Sequence, residues 1–288
     1  MLSRRLALAS VACDAAEVRD DFAVAHTAGF DAVEIADAKL QRYLTRGGTV
    51  TAFRAALTRT GLAPVSLLFG PDELRLEAAV PLGAEGVIDR CRAACARAAA
   101  IGCPTVSAVP APRADCPDDD ALQERAVETL HAMGAVAREH GVRIGLELVG
   151  LCNAPIRTLA AARALLDRVA HPAVGLILDA FHFHAGGSTW AMLEKLDPGA
   201  LGLVRLADAP ALPPGRLSEA DRLLPGDGVM PLLTLVRLLE RAGYAGSYSI
   251  KVSWPAYRGW RPAALARAAW ESLGALFAEL DEVEGRLD

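Results

Sequence analysis

The sequence predicts an α/β protein built as a single (β/α)8 barrel, and three observations lead there. Eight short apolar or β-branched runs alternate with longer Ala/Leu/Arg-rich stretches of helical period across 288 residues, the order expected of a parallel sheet wrapped by helices. No Gly-x-Gly-x-x-Gly or phosphate-binding loop follows the first run, which argues against a nucleotide-binding open sheet. Nothing resembling a Pro/Ser-rich linker separates the units, so residues 1–288 are expected to form one domain.

The first strand is read over residues 6–11. Arg4 and Arg5 ahead of that apolar stretch also suit a signal peptide, but the stretch is short and Asp14 and Glu17 follow at once. A core strand explains the same residues better. Asp14 then opens a helix that closes at Gly29. Strands follow at 32–35, 62–69, 105–109, 142–149, 174–178, 201–207 and 248–253. Helices are expected at 50–60, 87–100, 120–140, 158–169, 190–196, 231–242 and 262–280. Three connections are long: 70–83 after the third strand, 110–119 after the fourth and 208–228 after the seventh.

Composition narrows the function classes. The chain is 52% apolar and 23% charged, as in globular proteins. Its 30 basic and 35 acidic residues leave a net charge of −5, so no basic field invites nucleic acid. No charge-free apolar run reaches the length of about 18 residues that a membrane span needs. Cys13, Cys91, Cys95, Cys103, Cys116 and Cys152 form no Cys-x-x-Cys motif or Cys/His cluster, and are expected as buried free thiols in the cytoplasm.

Barrel chemistry sits at the C-terminal ends of the strands. There the fifth strand carries Glu147, the sixth Asp179, the seventh Arg205 and the eighth Lys251. Four consecutive strands thus place a charged residue near one height. Asp179 continues into Ala-Phe-His182-Phe-His184-x-Gly-Gly, and the seventh strand into Asp208-Ala-Pro. Further on come Asp221-Arg222-x-x-Pro225-Gly226-x-Gly228 and Gly243-Tyr-x-Gly246.

These motifs make the chain similar, over nearly its whole length, to the xylose isomerase-like barrels described as sugar phosphate isomerases and epimerases. The resemblance implies a divalent metal such as Mn, Mg or Co, held by Glu, Asp, His and Glu from the last four strands. Glu147 and Asp179 match that set. Arg205 stands at the His position and Lys251 at the second Glu position. Arg has no lone pair to offer, and Lys could coordinate only if deprotonated. The implied ligand set carries −3, whereas Glu147, Asp179, Arg205 and Lys251 sum to zero without an ion. No catalytic metal is therefore expected in the family's place; the alternative is a divalent ion retained at Glu147 and Asp179.

Three readings of the cluster stay open. In a metal-free site, Lys251 and Glu147 move protons α to a carbonyl while Arg205 stabilises the oxyanion; a neutral Lys251 could also form a Schiff base. In the second reading the cations bind an anionic substrate group and Glu147 moves the proton. In the third the cluster is a buried salt-bridge network in a barrel without catalysis. By resemblance, His182 contacts substrate hydroxyls, and in the metal-free reading Asp179 and His182 position the substrate. If the chain stays extended beyond Asp179, His182 and His184 point the same way; His184 then lines the pocket, or caps backbone carbonyls as a loop residue. Asp208 contacts hydroxyls or opens a turn, Arg222 binds an anion or pins its loop, and Glu34 is a pocket carboxylate or a salt-bridge partner. Trp254, Tyr257 and Trp260 suggest an aromatic wall for a sugar face, or a rim contact between subunits.

The resulting expectation is a metal-independent isomerase, epimerase or dehydratase acting on a small carbohydrate-like substrate. A dehydroshikimate-dehydratase-like lyase and a non-catalytic sugar-binding or scaffolding barrel are the alternatives. The resemblance also implies that two copies can pair as a homodimer.

Overall fold

Eight parallel strands close into a barrel in chain order. They are β1 (Arg5–Ala9), β2 (Ala32–Ala36), β3 (Ala63–Leu68), β4 (Thr105–Ala108), β5 (Arg143–Glu147), β6 (Val174–Asp179), β7 (Leu201–Leu206) and β8 (Ser247–Ile250), with β8 paired back onto β1. This is a computed structural model, and it describes residues 4–10, 17–68, 83–110, 119–252 and 254–285. For 83–85, 119–122 and 254–255 it describes the backbone alone. Asp14 and the loops 70–82 and 111–118 lie outside the described residues, as do Cys13 and Cys116.

The helices are α1 (Val18–Ala28), α2 (Asp37–Thr45), α3 (Val50–Thr60), α4 (Gly83–Ile101), α5 (Asp119–Glu139), α6 (Leu159–Val169), α7 (Ala180–Ala185), α8 (Trp190–Leu193), α9 (Leu232–Arg241) and α10 (Pro262–Glu284). Among the described residues, none is long and apolar enough to cross a membrane. Thr49 and Thr158 accept from the amides of Ala52 and Ala161 and cap α3 and α6. Gly29 and Gly61 close α1 and α3 in the left-handed conformation.

Two helices were not expected from the sequence. The helix α2 begins directly after β2. The helix α7 begins directly after Asp179, whose Oδ1 accepts from the amides of Phe181 (3.0 Å) and His182 (3.3 Å). The chain therefore does not stay extended beyond β6, and the expectation that His182 and His184 point the same way is corrected. Two residues apart on a helix, they face different directions.

Side chains alternate across a strand, and this builds the barrel interior in layers. One layer is Ala7, Ala32, Val65, Ile177 and Leu203. Gly145 faces it, since a Cβ there would stand 2.6 Å from Ile177 Cγ1. Two residues further along four of these strands the layer becomes charged: Ala32 is followed by Glu34, Gly145 by Glu147, Ile177 by Asp179 and Leu203 by Arg205. Ser249, beside Arg205 in the β7–β8 register, is followed by Lys251. The apolar layer is the floor of the site. A larger core between sheet and helices surrounds it.

Cys91, Cys95 and Cys103 are buried free thiols, as expected, whereas Cys152 is exposed.

Candidate active site

The charged layer forms two connected tiers. In the inner one, Arg205 is fully buried between two glutamates. Its Nε donates to both oxygens of Glu34 (3.0 and 3.1 Å), its Nη2 to Glu34 Oε2 (2.6 Å), and its Nη1 to Glu147 Oε2. Glu34 and Glu147 are 0% and 2% exposed. Burial alone would push the Glu147 carboxyl up, but Arg205 and then Lys251 overcome it and hold it well below the usual carboxylate range.

The outer tier begins at Lys251. Its Nζ donates to Glu147 Oε1 at 2.9 Å and lies 3.8 Å from Asp179 Oδ2, with 15% of the side chain exposed. Arg222 comes in from the loop after β7. Its Nη1 donates to Asp179 Oδ1 (3.0 Å), its Nη2 lies 2.9 Å from Asp179 Oδ2, and its guanidinium stands 4.5 Å over the Phe181 ring. Arg222 Nε also donates to Glu219 Oε2 at 2.6 Å. His182 Nε2 is 2.9 Å from Glu219 Oε1 and 3.0 Å from Arg222 Nη2, and His182 Nδ1 is buried without a partner. Burial raises the Glu219 carboxyl, yet Arg222, with His182 and Lys251, holds it well below its usual range.

The loop that delivers Arg222 and Glu219 is tied down at several points. Asp208 Oδ1 accepts from the amides of Ala209 and Met230 (both 2.8 Å), and its Oδ2 from Gly226 (3.0 Å). The main chains of Asp208 and Leu223 exchange both hydrogen bonds. Gly226 turns with φ +93°, and a Cβ on Gly228 would collide with the Ala209 carbonyl and Asp208 Oδ1. Ser218 and Asp221 cap each other around the short 3-10 turn Glu219–Asp221. The Tyr257 hydroxyl accepts from the Leu224 amide at 2.6 Å.

The structure thus brings together Glu34, Glu147, Asp179, His182, Arg205, Arg222 and Lys251 from the sequence-derived candidates. Asp208 clasps the loop through its carboxylate, and Tyr257, buried, fastens the same loop. Trp254 has its backbone in the turn Trp254–Tyr257, and its side chain lies outside the described residues. His184 faces a separate cavity of about 370 Å³, which Phe183, Trp190, Met230 and Leu235 also line. Glu219 was missed. It lies in a long loop without periodicity, and the Ser218-x-x-Asp221 capping pattern was the available sign of a fixed turn there.

Glu147, Asp179 and His182 each place a donor atom within 4.8 Å of the others, the arrangement of a three-residue metal cluster. Their surroundings speak against a dication. Both Glu147 oxygens already accept from protein cations, and both Asp179 oxygens lie at Arg222, although Oδ2 has no well-aligned donor. The four positions matched to the implied ligand set sum to zero against that set's −3, and Glu34, Glu147, Asp179 and Glu219 against Arg205, Arg222 and Lys251 leave −1. A dication would leave the buried cluster at +1 and displace the Arg205, Lys251 and Arg222 contacts. Two unit charges 4 Å apart interact by about 4 kcal/mol at an effective dielectric of about 20. As they stand, these residues do not fit a divalent ion.

A closed eight-strand barrel with charged strand ends defines the class of the molecule. A family model described as xylose isomerase-like TIM barrel matches residues 22–276, and the chain belongs to that family. Among its relatives, the inosose isomerase of Halalkalibacterium halodurans is 31% identical over 160 residues, 56% of this chain and 57% of that protein. A 3-dehydroshikimate dehydratase of Pseudomonas putida is 29% identical over 137 residues, 46% of this chain and 21% of that protein. The chain spans about half the length of the inosose isomerases that it matches. A crystal structure of the IOLI protein with a zinc atom superposes with a TM-score of 0.89 at 22% identity, covering 96% of this chain and 99% of that one.

Proposed function

We propose that the chain is an isomerase that moves a proton on the carbon next to a carbonyl in a polyol-derived ketone, with protein cations standing where the family's metal is implied. The observation that carries this reading is Lys251. It is the cation of the cluster that is partly open to solvent, and its Nζ bridges Glu147 and Asp179 at 2.9 and 3.8 Å. The inosose isomerase relatives support the reaction class, because an inosose is a cyclic polyol ketone.

Removing a proton α to a carbonyl builds negative charge on the carbonyl oxygen. A preoriented ammonium at low dielectric stabilises that charge. If Lys251 turns from Glu147 Oε1 to the substrate oxygen, it also frees a lone pair on Glu147. Losing this contact raises the proton affinity of Glu147, so the electrophile and the base become competent in one movement. Arg205 stays behind Glu147 and fixes its other oxygen. The Schiff-base version has no support in these contacts, since the nearest groups to Nζ are carboxylates. The third sequence reading, a purely structural network, describes the inner tier well and the outer tier poorly.

The test is solvent exchange. Protein dialysed against a chelator is incubated with an inosose in D2O, and loss of the α-proton signal is followed by NMR. We expect exchange to persist after chelation, and Lys251→Met to slow it by about 100-fold while still melting as a folded protein. Undiminished exchange in that variant contradicts the reading, as does exchange that vanishes on chelation and returns with Mn2+ or Zn2+.

A further inference from the structure

The outer tier holds a carboxylate that neither the sequence motifs nor the metal pattern requires. Glu219 has 49% of its side chain exposed, whereas Glu34, Glu147 and Asp179 are sealed at 0–2%. Its two oxygens are aimed from behind. Oε1 faces His182 Nε2 at 2.9 Å, and Oε2 accepts from Arg222 Nε at 2.6 Å. Both of those partners are buried, and the capped turn Glu219–Asp221 fixes the backbone. An exposed glutamate ordinarily samples many rotamers, and ordering it costs side-chain entropy. Here three independent contacts oppose that freedom, and they hold in place a half-exposed glutamate whose charge is felt by Lys251.

Charge tells what such a carboxylate can meet. Among the described residues of the cluster, every cation is already paired with at least one carboxylate, and the four carboxylates outnumber the three cations. Of the four carboxylates, Glu219 is the one that solvent reaches, so a negative charge stands at the open side of the site. A phosphate or carboxylate on the substrate would be repelled there, because Arg205 and Arg222 are each held by two acidic residues. A hydroxyl group, by contrast, can donate to a carboxylate that keeps acceptor capacity beyond its two protein partners, and hydrogen bonds to charged acceptors are the stronger kind.

We propose that Glu219 is a specificity-determining residue that accepts a hydrogen bond from a hydroxyl vicinal to the substrate carbonyl, selecting uncharged polyhydroxy ketones over acidic or phosphorylated ones. This rests on the function proposed above and adds its hydroxyl-recognition subsite. Lys251 holds the carbonyl oxygen, Glu219 holds the neighbouring hydroxyl, and the pair orients the ring in between. His182 and Arg222 are positioning residues that act through Glu219.

The experiment compares two probes on two proteins by calorimetric titration: scyllo-inosose and an analogue lacking the hydroxyls next to the carbonyl, with wild type and Glu219→Gln. We expect the Kd of scyllo-inosose to rise by about 10-fold or more in the variant, the scale of one hydrogen bond to a charged acceptor, with the analogue unchanged. Glu219→Asp should recover part of the loss. A variant that weakens both probes equally, or neither, overturns the assignment, since a merely structural role would not distinguish them. Should the variant melt early, Glu219→Asp carries the same comparison. Wild-type protein that binds neither ketone but turns over another compound contradicts the function reading itself, and the subsite falls with it. Tight binding of dehydroshikimate by the wild type also overturns the selection for uncharged ketones.

Discussion

The two tiers of charge use the same chemistry at different depths. In the inner tier, Glu34, Arg205 and the inward side of Glu147 lie on strands, are shielded from water, and have their donors and acceptors matched. In the outer tier, Lys251 follows β8 and Glu219 and Arg222 arrive on a loop. There Asp179 Oδ2 and His182 Nδ1 remain without aligned partners. A sealed and satisfied network holds a barrel together. An incompletely satisfied one, with a cation and a carboxylate open to solvent, is where a ligand can complete the bonding. On the function proposed above, depth separates structural charge from working charge in this molecule.

Substitutions sharpen that contrast. The largest stability effect is expected from Arg205→Met, which leaves Glu34 and Glu147 buried without their counter-charge. Breaking a buried pair in this way costs about 3–5 kcal/mol, a fall in Tm on the order of 10 °C for a domain of this size, readable by calorimetry. The double variant Glu34→Gln, Arg205→Met should recover part of it. If Arg205→Met melts like the wild type, the inner tier is not structural and the division fails. Lys251→Met should show the reverse pattern: little change in melting and a large loss of exchange activity.

Acid probes the link between the tiers. Glu147 is held below its usual range in the folded chain, so its contribution is complete above the ordinary carboxylate pKa of about 4.3 and is lost as pH falls below that value. The stability advantage of wild type over Glu147→Gln, measured by urea unfolding, should hold level from neutral pH to about pH 5 and shrink below it. An advantage that instead grows in acid reverses the sign of the proposed shift. The smallest effect belongs to the loop's fastening. Tyr257→Phe removes the acceptor for the Leu224 amide, which should cost about 1 kcal/mol and weaken scyllo-inosose binding before it affects the barrel.

Much of this arrangement was legible in the chain itself. The strand order made Glu147, Asp179, Arg205 and Lys251 readable as charges near one height at the ends of four consecutive strands, and the helix read at 50–60 matches α3 (Val50–Thr60) residue for residue. The run Ala-Phe-His-Phe-His after Asp179 was not legible as a helix, because alternating Phe and His imitate a strand. What decides its conformation is the Asp179 carboxylate capping the amides of Phe181 and His182, a local bond that periodicity does not report. Glu34 could be named from its strand but not paired with Arg205, since the contact spans 171 positions and depends on barrel closure. Arg222 could be named but not aimed. Its target at Asp179 follows from the clasp that Asp208 and Leu223 form, which is tertiary information.

The account's central claim is that Arg205, Lys251 and Arg222 have taken over the place of an ion. Titration calorimetry of chelator-treated wild type with Zn2+ and Mn2+ tests it most directly, alongside Arg205→His, Lys251→Glu, which restores the ligand types that the sequence resemblance implies. The account predicts no saturable binding by the wild type and one ion per chain in the double variant. Stoichiometric, submicromolar binding by the wild type that disappears in Asp179→Asn would contradict it.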